Sequence, residues 1–163
     1  MKKEKQLIIS KEEAKKLYQD VPDKLKKMFE DTFGKKEFLP LKIEDRVKTF
    51  EDACKILGVS SKLPDVSTFP IENQKYFIAQ HKLITIIKAL NEGWEPNWND
   101  KNEHKHYPLF TQSPSGFGFS DTSYDYWYTG ADVGSRLCLK TEELAEYIGK
   151  QFESLYNDFL SLD

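Results

Sequence analysis

The chain of 163 residues is poor in the side chains that usually announce metal or redox chemistry, with two cysteines and three histidines. Neither Cys54 nor Cys138 has a CxxC neighbour, which excludes a zinc ribbon and a thioredoxin motif. Cys54 lies in a helical pattern, FEDACKIL, and Cys138 in a strand pattern, SRLCLK. Both patterns predict small buried side chains. Two unlinked thiols fit a reducing, cytoplasmic compartment.

Long apolar runs and an excess of positive charge are also missing. No stretch approaches the ~20 apolar residues of a membrane span, and Leu7–Ile9 is too short for the core of a signal peptide. We therefore expect no membrane contact. The net charge of −3 gives no general affinity for nucleic-acid phosphates. Residues 1–40 are locally basic, with eleven lysines against eight acids, and residues 141–163 are acidic, with one lysine against six acids.

Helix signals are strong at both ends and in the middle of the chain. Capping residues and apolar spacing predict a helical hairpin within residues 1–40, with helices over 11–19 and 22–33. Residues 35–48 contain Pro40 and mixed charges, and they are interpreted as a linker. Further helices are predicted after Thr49 and Thr141, both N-cap residues. Residues 71–92 form the most apolar helix pattern, which predicts a central element.

Between the last two helices the apolar spacing changes from helical to alternating. Short turn-like breaks separate four predicted strands: His106–Thr111, Gly116–Asp121, Asp125–Thr129 and Ser135–Lys140. Connections this short favour an antiparallel meander. The predicted fold is therefore α+β, a small antiparallel β-meander packed against two long helices, with the N-terminal hairpin at 1–40 and a core domain at 41–163.

All three tryptophans and the densest tyrosine run lie between Trp94 and Lys140. Base-stacking platforms combine aromatic side chains with lysine or arginine, but residues 94–140 carry four basic and six acidic side chains. Aromatic residues are also favoured at protein interfaces. We therefore predict a protein-binding surface formed by Trp94, Trp98, Tyr107, Tyr126, Trp127 and Tyr128, while core packing is the alternative for each of them.

A metal site is a second hypothesis for the same segment. In a strand, His104 and His106 would point to one face, so both imidazoles could reach a single ion. Asp100 and Glu103 lie nearby in sequence, and His81 is a further nitrogen donor. No HExxH or matching cysteine pattern supports the site, so no metal or other cofactor is assigned.

The stretches ALNEGWEPNWND, GFGFS and VGSRLCLKTEELAEYIGKQFESLYNDFL together resemble uncharacterised small proteins of phages and prophages of gut bacteria. The resemblance covers roughly residues 43–163 and carries no established activity or catalytic residues. It implies a place in a bacterial cytoplasm or on a virion, and an accessory, structural or host-modulating role.

The favoured function is a non-enzymatic accessory or assembly protein of phage origin that binds a protein partner. The alternatives are an enzyme dependent on a metal or small ligand, centred on His104 and His106, and a nucleic-acid accessory factor that uses the lysine-rich hairpin. An oligomer is compatible with all three.

Overall fold

The computed structural model describes residues 9–18, 20–38, 42–114, 116–125 and 132–162. The chain divides into two compact units, Met1–Leu41 and Lys42–Asp163. The α+β class predicted from the sequence is confirmed, with seven α-helices and one two-stranded antiparallel sheet among the described residues.

The first unit contains helix α1 (Lys11–Leu17), helix α2 (Asp23–Phe33) and a 3₁₀ turn (Lys35–Phe38). A reciprocal capping box between Ser10 and Glu13 begins α1. Ala14, Phe29 and Phe38 form the small core of this unit, and Tyr18 stacks on Phe38 with ring centroids 4.6 Å apart. Phe38 is only 7% exposed, so interpreting residues from 35 onward as a linker is wrong at this end.

The linker interpretation also fails at its other end. The second unit begins with helix α3 (Ile43–Arg46), followed by α4 (Phe50–Leu57) and α5 (Ile71–Leu90). Ile43 and Val47 are buried in the main core. The charged residues between them face solvent on a single helical turn, so local composition concealed two core side chains. The predicted capping box at Thr49 and Asp52 is present.

Helix α5 supplies the centre of the core through its C-terminal half. Its buried side chains are Ala79, Leu83, Ile86, Ile87, Ala89 and Leu90. The N-terminal half is more exposed, with Ile71 at 78%. The helix is therefore central over about three turns, rather than over the whole length that its apolar pattern predicts.

The sheet is a hairpin of β1 (Lys105–Ser113) and β2 (Gly116–Asp125), with a bulge between Leu109 and Phe110. Residues 126–129 of the predicted third strand lie outside the described residues. The predicted fourth strand, Ser135–Lys140, is wrong, because only Leu139 pairs with β1, in a single bridge to His106. A turn at Gly134 and the N-cap at Thr141 leave too little extended chain between them for a strand.

The C-terminal helix is divided in two. Helix α6 (Glu142–Gln151) ends at Phe152, whose φ of −118° and ψ of 28° are not helical, and α7 (Glu153–Leu160) follows. The predicted single helix over 141–160 is therefore wrong. Just after the break, the Glu153 carboxylate accepts the backbone N–H of Phe119 at 2.8 Å. This bond joins the start of α7 to β2.

Two tyrosines of these helices provide a matched test of the packing. The Tyr156 hydroxyl is buried and has no hydrogen-bond partner among the described residues, and burial raises the pKa of Tyr156. The Tyr147 hydroxyl donates to the Val47 carbonyl at 2.5 Å. We expect Tyr156→Phe to raise the free energy of unfolding by about 1 kcal/mol and Tyr147→Phe to lower it by about 1 kcal/mol. Urea denaturation measures both, and a clear loss of stability in Tyr156→Phe would show that the hydroxyl has a partner.

Candidate functional site

The loop after α5 is folded around the carboxylate of Glu103. One oxygen, Oε2, accepts the indole N–H of Trp94 at 3.2 Å. The other, Oε1, accepts the backbone N–H of Asn97 at 2.7 Å and lies 3.2 Å from Lys105 Nζ. One acidic side chain therefore fixes the start and the middle of the loop and contacts the first residue of β1.

Lys105 is a fully buried lysine, with 0% of its surface exposed. Its ammonium group donates to the Glu103 carbonyl at 2.6 Å and to the Asp100 carbonyl at 3.2 Å. With the Glu103 carboxylate this makes three oxygen partners, matching the three donors of an ammonium group. The Trp98 ring adds a cation–π contact, with its centroid 5.4 Å from Nζ. Oxygen atoms of the loop therefore take the place of water around the buried charge.

These contacts hold both described tryptophans at the surface with their polar atoms occupied. Trp94 donates to Glu103, and the Trp98 indole N–H donates to Ser135 Oγ at 2.7 Å. Both side chains remain partly exposed. What they can offer a ligand is therefore the faces of their rings.

Trp94 lines a cleft of about 620 Å³ between the C-terminal half of α5 and the segment at 135–136. Its walls include Ile84, Lys88, Trp94, Pro96, Ser135 and Arg136. The volume lies within the range of small-molecule sites. We call this space the Trp94 cleft.

The Trp94 cleft carries a net positive charge. Lys88 and Arg136 are exposed, and neither forms an ion pair with any residue that the structure describes. Glu95 is the one acidic residue among the described residues lining it. The two cations leave the cleft suited to carboxylates or other anionic groups.

The floor of the cleft is fixed by Asn91, which is only 5% exposed. Its side chain donates to the Cys138 carbonyl at 2.9 Å and accepts the backbone N–H of Lys140 at 3.1 Å. The amide thus takes the place of a neighbouring strand on one side of residues 138–140, while His106 pairs with Leu139 on the other. The end of α5 is thereby joined to the sheet.

The six residues predicted to bind a partner have different locations. Trp94 and Trp98 lie in the loop described above. Tyr107 is 4% exposed, and its hydroxyl donates to Asp132 Oδ2 at 2.6 Å, so its side chain belongs to the interior and the prediction of a surface role is corrected. Tyr126, Trp127 and Tyr128 lie outside the described residues.

The residues of the metal hypothesis are only partly together. The rings of His104 and His106 are 5.8 Å apart, and His104 stacks on Tyr124 at 4.1 Å. His81 instead packs edge-on against Phe50, and Asp100 Oδ1 accepts the backbone N–H of Asn102. Within the described ranges, no group of three or more His, Cys, Asp or Glu side chains could hold a metal ion.

The lysines proposed for nucleic-acid binding are partly engaged within their own unit. Lys11 and Lys15 each lie 2.7 Å from the Glu37 carboxylate, and together they lower the pKa of Glu37 to about 2. Two of the basic side chains in this hairpin are therefore already paired with one acid at its surface.

Sequence reasoning missed the roles of Asn91, Lys105, Lys88 and Arg136, and it considered Glu103 only beside the metal hypothesis. Lysine and glutamate are normally exposed, so a pattern analysis assigns them to solvent. One weak signal is present, since Glu103 and Lys105 are two residues apart and follow two tryptophans. That spacing could have indicated a charge pair beside aromatic rings.

Removing the buried ammonium group tests the loop. We expect Lys105→Met to lower the free energy of unfolding by about 2 kcal/mol or more, because Glu103 and two carbonyls lose their donor. Lys62→Met, at an exposed lysine, is the matched control and should change stability by less than about 0.5 kcal/mol. Urea denaturation followed by circular dichroism measures both. Equal stability of the two variants would show that the buried pair does not hold the loop.

His106 gives the unit a predictable response to pH. Burial, followed by the nearby charge of His104, lowers the pKa of His106 from its ordinary value of 6.5, although Glu142 and Glu143 partly oppose the shift. His106 then binds a proton more readily in the unfolded chain than in the folded protein, so acidification favours unfolding. The stability that depends on neutral His106 is complete above about pH 6.5 and is lost as the pH falls towards the folded-state pKa. We expect His106→Gln to lose less stability than the unaltered protein between pH 7.5 and 5.5. His81→Gln is the control, and an unchanged pH dependence in His106→Gln would contradict the assignment.

No protein-family model, curated protein or solved structure matches the chain. Among the described residues, no helix is both long and apolar enough to cross a bilayer. The geometry of the described residues therefore provides the basis for a functional proposal.

Proposed function

We propose that the chain is a non-enzymatic binding protein that engages a protein partner through the Trp94 cleft. The observation that carries the proposal is the fixed, partly exposed indole of Trp94 at the wall of a cleft of about 620 Å³. The partner contributes an apolar or aromatic side chain that packs on this ring, together with one or more carboxylates.

Rigid placement of the indole supports this use. A tryptophan whose N–H is already bonded to Glu103 does not lose that bond on binding and loses little side-chain freedom. Affinity then comes from burying its ring face. Tryptophan is enriched among the residues that dominate interface energies, and the neighbouring Pro96 and Ile84 extend the apolar wall.

The two cations of the cleft, which form no ion pair with a described residue, define the partner's charge. Lys88 and Arg136 stand on α5 and on the segment after Gly134, so carboxylates from one partner can meet both. Such contacts at the rim of an interface mainly set specificity and association rate. An acidic segment containing an aromatic or branched apolar residue is the class of partner that fits.

The biological setting proposed for this binding is that of a phage. The motifs of residues 43–163 resemble phage and prophage proteins, which favours an accessory or assembly role in a bacterial cytoplasm or on a virion. The proposal includes no cofactor and no catalytic residue.

Photo-crosslinking in bacterial cells tests the proposal. A benzophenone amino acid placed at Glu95, an exposed residue of the cleft, should give a discrete protein adduct. The same group placed at Lys75, an exposed residue of α5 that does not line the cleft, should not give it.

The purified partner then allows a matched comparison of charge reversals. Lys88→Glu should raise the dissociation constant about tenfold, which is the effect expected when an attractive rim contact becomes repulsive. Lys75→Glu, on the same helix, should leave it unchanged. Trp94→Ala should weaken binding at least as strongly as Lys88→Glu. An affinity that neither Trp94→Ala nor Lys88→Glu alters would exclude this cleft as the binding surface.

A further inference from the structure

A second, smaller cavity lies between β1, residues 132–137 and α7. Its volume is about 240 Å³. An engineered apolar cavity of about 150 Å³ is known to accept benzene, so this one has room for a single aromatic ring with a short chain. It shares no described lining residue with the Trp94 cleft.

The inner walls of the cavity are apolar and partly aromatic. Phe110 packs against Tyr156 with ring centroids 4.6 Å apart, and Leu137 and Phe159 complete the interior. Leu160 stands at the cavity and is 50% exposed, which makes it a rim residue. An aromatic or branched apolar group is the body that these walls match.

The charge at the cavity is negative. Asp132 lines it and accepts the Tyr107 hydroxyl through Oδ2, and Asp125 in turn accepts the backbone N–H of Asp132 at 2.9 Å. Burial and the nearby Asp132 charge raise the pKa of Asp125. No lysine, arginine or histidine is among the described residues that line the cavity.

The end of α7 adds to this negative charge. Leu160 is the last residue of the helix, and the C-terminal end of a helix carries a partial negative charge that favours cations. Asp132 and the helix end thus act in the same direction, and both disfavour an anionic ligand.

We propose that this cavity is a binding site for a small aromatic or branched aliphatic amine. The apolar body of the ligand lies among Phe110, Leu137, Tyr156 and Phe159, and its ammonium group faces the Asp132 carboxylate. The site is separate from the Trp94 cleft and does not depend on a protein partner.

Three probes of similar size and different charge test the proposal on the whole chain. They are 2-phenylethylamine, 2-phenylethanol and phenylacetate, titrated into the isotopically labelled protein while amide chemical shifts are recorded. We expect the amine to bind most tightly, the alcohol less tightly and phenylacetate least. Each step should be about two- to fivefold, because the Asp132 carboxylate lies at an exposed rim. The largest shifts should fall on amides around Phe110, Leu137 and Phe159.

Two variants separate charge from shape. Asp132→Asn keeps an oxygen acceptor for the Tyr107 hydroxyl, and it should remove the preference for the amine over the alcohol while both still bind. Leu160→Trp should weaken all probes by filling the rim, whereas Leu162→Trp, at a residue with 101% relative exposure, is the matched control and should change nothing.

Several results would overturn the proposal. These are an absence of saturable shifts with the amine, shifts confined to amides away from the cavity, or phenylacetate binding as well as the amine does. Should Leu160→Trp leave binding intact, the location of the shifts decides, because shifts at Phe110 and Phe159 still place the ligand in the cavity. None of these results bears on the crosslinking test of the Trp94 cleft.

Discussion

The loop between α5 and β1 depends on one buried charge, the ammonium group of Lys105. Removing an ion from water costs several kcal/mol even after relaxation, an amount comparable with much of a domain's net stability. The chain meets this cost by wrapping residues 100–103 around the ammonium group, so that two carbonyls and one carboxylate replace water. A conformation in which the loop opens would leave that charge without partners. The positions of Trp94 and Trp98 follow from this constraint, because both rings are attached to the same group of contacts.

Asn91 extends the constraint from the loop to the rest of the unit. Because its side chain bonds the backbone on both sides of Leu139, and Leu139 pairs with the second residue of β1, the end of α5, the segment at 138–140 and the start of β1 form one hydrogen-bonded group. Lys105 immediately precedes His106 in the chain. The Trp94 cleft therefore has walls on elements that are joined at their bases, which makes it a preformed site. Such a site loses less conformational entropy when a ligand binds.

The predictions that succeeded rest on short-range physics. The N-caps at Ser10, Thr49 and Thr141 are correct because a cap involves residues within one helical turn. Several of the failures involve distant partners. The alternation of Leu137 and Leu139 predicts a strand, but a side chain 47 residues away satisfies the adjacent backbone. Pro40 and the mixed charges of residues 35–48 indicate a linker, but Phe38, Ile43 and Val47 are buried. The burial of Lys105 contradicts the usual exposure of lysine, and only the folded loop supplies the partners that permit it.

The two proposed sites have opposite local charges, which the net charge of −3 conceals. Lys88 and Arg136 make the Trp94 cleft positive, whereas Asp132 makes the smaller cavity negative. At physiological ionic strength, screening limits exposed charges to a range of about 8 Å, so each group of charges acts mainly on a ligand that has already reached its own site. The charges then select the sign of the ligand, and the ring faces of Trp94 in one site and of Phe110 and Tyr156 in the other supply the contact area. On the two proposals, a ligand suited to one site is thereby disfavoured at the other, and the two ligands do not compete.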